Sequence, residues 1–384
     1  MIVDPIAVFL VLSSSVYLAL RLEESFRLFR AMGAALVALL TGVVLSNSGL
    51  LPGESPTYNF LVGNGVRGGV VLILLSVNIK SLRQAGPKML AAFGLGATGT
   101  VIGSITAGLV LFPQVGAETW KLAGQFTGTY IGGGMNFAAL GQALGTSSDL
   151  FSAAVAADVI LTAFWMATCL TVPVLLGKPK QSTSPEPAGK PTSHKGSIIT
   201  LEHALYSSGK PVALRDAAAL VAIVVGALWG SEQLAALFPL FPSVLWLTSL
   251  ALLGAQVPTV RSLTGSAMVG NYLVLMFLAA NGAQSVVANI VKVGPAVFYF
   301  AALTVTIHGI VIFGLGRFLK IDFGTLAVAS QSNVGGAASG MAMASARGYT
   351  DRILPGVAVG LLGYAVGNYL GFAVAALMRG WLVG

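Results

Sequence analysis

The stretch Tyr130–Gly145, YIGGGMNFAALGQALG, decides how this chain is read. It has a counterpart at Asn333–Gly348, NVGGAASGMAMASARG, and the two align without a gap at an offset of 203 residues. Five of sixteen positions are identical: Gly132/Gly335, Gly133/Gly336, Ala139/Ala342, Ala143/Ala346 and Gly145/Gly348. Each patch interrupts a stretch that is otherwise apolar enough for a membrane helix. Gly-broken hydrophobic segments at matching places in two halves point to the binding site of a secondary transporter.

Composition sets the class. Of 384 residues, 55% are hydrophobic and 9% charged, against about 25% charged in a soluble domain. Mean hydropathy is +0.85. The expectation is an all-α polytopic membrane protein. The net charge of +8 does not imply nucleic acid, because most basic residues lie in short loops between apolar runs and act as topology determinants. Cys169, the single cysteine, excludes an intrachain disulfide. The N-terminal stretch MIVDPIAVFLVLSSSVYLAL has no basic segment before its apolar run and reads as a retained first span rather than a signal peptide.

Twelve apolar segments fall near 5–20, 31–50, 58–79, 89–112, 120–145, 150–177, 212–230, 242–257, 265–288, 295–316, 323–346 and 353–378. Between the sixth and seventh lies 178–210, rich in Pro, Ser, Gly and Lys, the composition of a flexible linker. It divides the chain into residues 1–177 and 211–384.

Basic residues choose between two topologies. If all twelve segments cross, the lysines and arginines outside the spans divide nine against eleven, which orients nothing. Suppose instead that the Gly-rich segments, 120–146 and 323–348, are re-entrant hairpins. With the N-terminus outside, Arg21, Arg27, Arg30, Lys80, Arg83 and Lys88 face the cytoplasm. So do Lys178, Lys180, Lys190, Lys195, Lys210 and Arg215, and also Arg261, Arg317, Lys320, Arg347 and Arg352. Only Lys121, Lys292 and Arg379 face outside, a division of seventeen against three. The positive-inside bias selects the second arrangement. It gives five spans and one hairpin per half, two inverted repeats, both termini outside and a cytoplasmic linker in an inner (plasma) membrane protein. A continuous crossing with an unwound centre is the alternative form of either Gly-rich segment. The repeat extends to Gly86-Pro87 with Gly294-Pro295, and to Gly63-Asn64 with Gly270-Asn271.

A Gly-rich turn inside a membrane frees backbone groups that ligand, water or protein must satisfy. Half-helix N-termini then suit an anion and unwound carbonyls a cation. The polar residues beside the turns extend the candidate substrate site: Thr127, Thr129, Tyr130, Gly132, Gly133, Gly134 and Asn136 in the first patch, and Ser330, Ser332, Asn333, Gly335 and Gly336 in the second. Gln125, Gln331 and Ser339 lie close by. The opposing reading is that Gly, Ala and Ser simply let helices pack closely.

Asp158 is the one carboxylate well inside an apolar segment. It is the candidate for coupling sodium or a proton, against the alternative of a neutral interhelical hydrogen bond. Arg67 either pairs with Asp158, binds an anionic substrate or snorkels to the surface. His308 is read as a proton relay or, more simply, an interhelical hydrogen bond. Asn78, Asn281, Asn289 and Asn368 are weaker polar candidates. No HExxH, G-x-S-x-G or Walker A motif occurs, so the chain is not expected to be an enzyme. Three His and one Cys are too sparse for a zinc cluster. Glu23-Glu24 with Arg27 reads as a charged loop.

GTYIGGGMNFAALGQALG and SQSNVGGAASGMAMASARGY together resemble the YjcL-like integral membrane family, over nearly the whole chain. That family is distantly similar to the cation:proton antiporter and anion transporter superfamily, which includes glutamate:sodium and bile acid:sodium symporters. The resemblance implies inverted five-helix halves and elevator-like alternating access, often in a homodimer. The chain departs from the proton antiporters of that superfamily in lacking their paired acidic residues, since Asp158 stands alone, which tells against antiport. The resulting expectation is a cation-coupled secondary transporter of a small anionic organic solute, with sodium or a proton as coupling ion, no other cofactor, and lipid and the solute as partners. A non-transporting membrane scaffold or regulator is the alternative.

Overall fold

The computed structural model describes residues 1–77, 79–176, 211–239 and 241–384. The linker 178–210 and Asn78 lie outside them. The described residues are helical, with no strand among them.

The first half comprises α1 (Pro5–Ser25), α2 (Arg27–Asn47), α3 (Pro56–Phe60) and α4 (Val66–Leu74), then α5 (Gly86–Val115), α6 (Thr119–Gly132), α7 (Gly134–Ala143) and α8 (Ser148–Leu176). The second comprises α9 (Leu214–Leu237), α10 (Ser243–Ala255), α11 (Pro258–Arg261), α12 (Ser266–Ala283), α13 (Val287–Phe318), α14 (Phe323–Ala346) and α15 (Thr350–Leu382). Helix starts follow local chemistry. Asp4 caps α1 through the Ala7 amide with Pro5 in the first turn. Ser55 caps α3 ahead of Pro56, and Asp322 caps α14 through the Thr325 amide.

Among the described residues, seven helices are long and apolar enough to cross a membrane. Two shorter apolar helices, Met32–Asn47 and Ser243–Ala255, accompany them, and α3 and α4 are joined by a π-helical turn at Leu61–Gly65. Large apolar side chains cover the outside, including Ile6 (80% exposed) and Phe318 (83% exposed). Such a girdle would be an aggregation surface in water and is a lipid-facing surface here. The chain is a polytopic α-helical membrane protein. The third segment is one continuous helix that loosens into a π-helical turn at Leu61–Gly65, since Phe60, Leu61, Gly65 and Val66 all keep helical φ/ψ. Gly63 and Gly270 also differ in surroundings. Nothing crowds Gly63, whereas Gly270 and Gly69 pack on one another's carbonyls.

The helices form two lobes. One contains α5, α6, α7, α8, α13, α14 and α15; the other contains α1 to α4 and α9 to α12, and contacts between lobes are sparse. In the first lobe α5 and α13 cross antiparallel. Gly99 meets His308 and Gly103 meets Thr304, so advancing along one helix retreats along the other. Without side chains at these glycines the backbones approach closely, the interaction that holds helices together in lipid. Across the lobes, the Asn368 amide donates to the Thr248 hydroxyl, and Ser249 and Tyr369 share a hydrogen bond. Ser152 and Ser285 link the start of α8 to the α12–α13 connection.

Both Gly-rich segments fold back on themselves. Along α6 and then α7, Gly132 lies beside Asn136, Gly128 beside Leu140 and Gly124 beside Leu144. At the base the Lys121 ammonium donates to the Gly145 carbonyl and the Ser147 amide to Glu118. The second segment does the same within α14. Gln331 donates to Ser339, and Gly340 sits against Ser332. Both are helical hairpins. The longer leg of the first, 14 residues, spans about 21 Å, too short for the roughly 30 Å hydrocarbon core.

The repeated glycines now have a physical reason. Gly133 (φ 78, ψ 176) and Gly336 (φ 75, ψ −171) make the two breaks, in a backbone region that is essentially glycine-only. Gly145 and Gly348 (φ 62 and 68) end the second legs. In each case the next amide, Thr146 or Tyr349, bonds back to Gly141 or Ala344, the Schellman closure.

Candidate functional site

Helix α15 runs past both hairpins and fixes their order. At its start Arg352 pairs with Asp322 at the base of the second hairpin (3.1 Å). Gly356 then faces Val328 and Ser332, and Gly360 faces Ala337 just beyond the break. Gly363 faces Ile131 and Gly132 at the tip of the first hairpin. Gly367 faces Gly128 and Asn136, and Gly371 faces Gly124. Finally Arg379 lies over the Trp120 ring at the base of the first hairpin. The hairpins therefore approach from opposite ends of α15. Their tips meet between Gly360 and Gly363, about 4.5 Å apart along the helix. A Cβ on Gly133 would stand 3.4 Å from Gly336 Cα, so the two breaks touch.

Direct contact leaves no room for a solute between Gly133 and Gly336. The accessible surface at the crossing is lateral: Gly134 is exposed, and Met135, Gly335 and Ser339 are half-buried. Helix α7 and the second leg of α14 both start here, and the first amides of a helix have no partner within it. Two half-helix N-termini, with their positive dipole ends, thus converge on one spot.

The candidate side chains divide into two groups. Around the first tip, the Thr129 hydroxyl donates weakly to the Asp158 carboxylate (3.4 and 3.5 Å). The Tyr130 hydroxyl lies beside the same carboxylate without a well-formed hydrogen bond. Asp158 is half-buried. Gln125 donates to Thr146, while Thr127 donates to the Ala123 carbonyl. The Asn136 amide donates to the Gly363 carbonyl (3.1 Å) and so ties the tip to α15.

Around the second tip, polar side chains are engaged with neighbouring helices. Ser332 donates to Val328 and Gly356, and Asn333 to Phe93. Ser330 lies between the Trp165 indole (2.9 Å) and His308 Nε2 (2.8 Å), while His308 Nδ1 reaches the Gly96 carbonyl (2.9 Å). Thr100 joins this network and donates to the Tyr130 carbonyl. Ser330 and His308 have the hydrogen bond of a nucleophile dyad, but both are fully buried and the serine oxygen already accepts from Trp165. His308 is an interhelical linker here. Several acceptors lack a donor: Gln125 Oε1, Gln331 Oε1 and Asn333 Oδ1 are buried with no hydrogen-bond partner.

Arg67 does not meet Asp158. It pairs with Glu232 on α9 at 2.9 Å and reaches Ser231, in the other lobe. Asn281 bonds to Ser148 and Ser152 across the junction between lobes, whereas Asn289 bonds to Asp149 within the first lobe. Sequence reasoning missed Thr100, Trp165, Tyr364 and the glycine series of α15. The spacing of Gly356, Gly360, Gly363, Gly367 and Gly371 was its available signal. Glu118 was also missed. Burial pushes its carboxyl upward, but the Ser147 amide and Lys121 outweigh that and hold it below the usual carboxylate range. At the base of the second hairpin, Gly86, Lys88, Asp322, Asp351 and Arg352 line an open cavity of about 360 Å³, away from the tips. Among the described residues no group of three or more His, Cys, Asp or Glu is placed to hold a metal ion.

Residues 8–380 match the family model described as "Protein of unknown function (DUF819)". The chain is 28% identical over 364 residues to "Uncharacterized membrane protein YjcL" of Bacillus subtilis (strain 168), covering 91% of each chain. With the family model spanning nearly the whole sequence, the chain belongs to the DUF819 family.

Proposed function

We propose that this DUF819 family member is a cation-coupled secondary transporter of a small anionic organic solute. The observation that carries the reading is the contact of the two Gly-broken tips, Gly133 on Gly336, where two half-helix N-termini converge. Such an arrangement suits an anion, and the neighbouring Asp158 suits a coupling cation. The solute would sit beside the crossing, against Gly134, Met135, Gly335 and Ser339.

The two-lobed organisation supports alternating access. The hairpin lobe would move against the lobe of α1 to α4 and α9 to α12, across their sparse contacts. The antiparallel crossing of α5 on α13 and the opposed hairpins support two inverted repeats. The sorting of basic residues supports termini outside and a cytoplasmic linker in a plasma membrane protein, and a homodimer is part of the same reading. Ser332, Asn136 and Asn333, whose amides or hydroxyls bond to neighbouring backbone, favour the scaffold reading for themselves alone.

The test is thermal unfolding of the purified full-length protein with sodium, lithium and a panel of short carboxylates, followed by uptake of any stabilising carboxylate into liposomes. A ligand bound at about 100 times its Kd adds about 2.7 kcal/mol. Stabilisation by a carboxylate and its uptake, driven by a sodium or a proton gradient and with the coupling lost in Asp158→Asn, are expected. No stabilisation by any ion or carboxylate, with no uptake, would establish the scaffold reading instead.

A further inference from the structure

We infer that the coupling ion is a proton carried by the Asp158 carboxyl group, with Thr129 and Tyr130 as its positioning residues. The inference deepens the transport reading and rests on it for its purpose.

The surroundings of Asp158 carry the argument. A metal cation needs several convergent oxygens. Here the side chains facing the carboxylate are the Thr129 and Tyr130 hydroxyls. The nearby carbonyls are held by donors, that of Thr129 by the Gly133 amide and that of Tyr130 by the Thr100 hydroxyl. The orphaned amide oxygens do not complete a cage around it. Gln125 lies a full turn further down α6 from Thr129, and Gln331 and Asn333 belong to the second hairpin.

Among the described residues no counter-charge faces the carboxylate either. Tyr130 is the titratable group presented by α6. Helices α12 and α14 carry no Asp, Glu, Lys, Arg or His. Arg27 and Arg30 of α2 lie in its first turn, while Lys292 and Arg317 of α13 lie near its two ends. His308 of α13 is held at Ser330 beside Trp165, two turns along α8 from Asp158, and Cys169 is one turn beyond. A carboxylate inside a membrane with neither counter-charge nor cage is relieved by taking up a proton.

The step is balanced. One Asp158 oxygen takes a proton from water on one side and forms an O–H bond. That bond breaks to water on the other side after the lobe has moved. No bond to the solute forms. Asp158 is half-buried rather than sealed in the core, and the Thr129 hydroxyl can donate to whichever oxygen remains bare. Because Thr129 is one turn before Gly133, a movement of the tip is transmitted directly to the carboxyl.

The experiment is infrared difference spectroscopy of the full-length protein in lipid vesicles, titrated from alkaline to acid pH, with and without sodium. Wild type minus Asp158→Asn should show one protonated-carboxyl band that grows as pH falls and ignores sodium. Thr129→Val and Tyr130→Phe should move its midpoint by on the order of one pH unit, a tenfold change in proton affinity. A carboxyl that stays ionised throughout, or one that sodium deprotonates at fixed pH, overturns the inference. Asp158→Glu, which should retain a displaced band, serves if the Asn variant does not fold. These readouts do not depend on a solute, so a protein that binds the proton but transports nothing would contradict the transport reading and not this one.

Discussion

The two hairpins share a backbone design and differ in what their side chains do. Each is broken by a glycine in the same rare conformation and closed by a second, left-handed glycine. Each base is held by an acid, Glu118 in the first and Asp322 in the second. The difference lies at the tips. The second hairpin spends Ser330, Ser332 and Asn333 on bonds to α5, α13 and α15. The first turns Thr129 and Tyr130 toward a carboxylate. The same fold device is thus anchored to its neighbours in one half and faces a carboxylate in the other, and the proposed transport reading predicts one coupling ion per chain rather than two.

The strongest way to break the comparison is to separate the first tip from α15. A Cβ at Gly363 would overlap the Ile131 carbonyl oxygen, which is backbone and cannot swing aside. Gly363→Val should cost about 3 kcal/mol or more and yield little monodisperse protein on size exclusion. The next test sets one break against the other. Gly133→Ala and Gly336→Ala should each cost about 1–3 kcal/mol from backbone strain, read as a fall in thermal midpoint. The loss should be larger at Gly336. A Cβ there meets the Tyr364 hydroxyl at 2.9 Å, whereas one at Gly133 meets nothing closer than 3.4 Å. Equal losses, unchanged by Tyr364→Phe, would remove that distinction.

The smallest expected effect is at the base of the first hairpin. The folded Glu118 carboxyl is held below its usual range, so its contribution is present at neutral pH and is lost as pH falls through the lowered folded value. Glu118→Gln should cost about 1 kcal/mol and abolish an acid-dependent rise in hydrogen exchange at the Ser147 amide. Exchange at Ser147 that does not respond to acid in wild type would rule the clamp out.

Much of this was legible because glycine reports backbone conformation. Gly133/Gly336 and Gly145/Gly348 repeat in sequence where the chain needs positive φ, and the basic residues independently required those segments to turn back. The all-helical architecture followed from apolar runs alone. Contacts between distant segments were not legible. Arg67 finds Glu232 rather than Asp158 because α4 packs in the other lobe, on α9 and α12. The polar residues of the second hairpin resembled a site by composition, yet hydroxyls and amides equally join helices in lipid, and nothing in a linear sequence separates the two uses. The glycine series of α15 was visible but had no meaning until two tips were found on either side of it.

Meeting of the tips is the claim from which the rest follows. It is tested by placing cysteines at Gly134 and Gly335 in a Cys169→Ala background, with a protease site inserted in the 178–210 linker, and oxidising the protein in native membranes. Disulfides form only between residues whose Cα atoms lie within about 7 Å. The account predicts that the cleaved halves stay joined on a non-reducing gel and separate on reduction. Halves that separate without reductant, while a control pair at Gln331 and Ser339 cross-links within its own half, would contradict it.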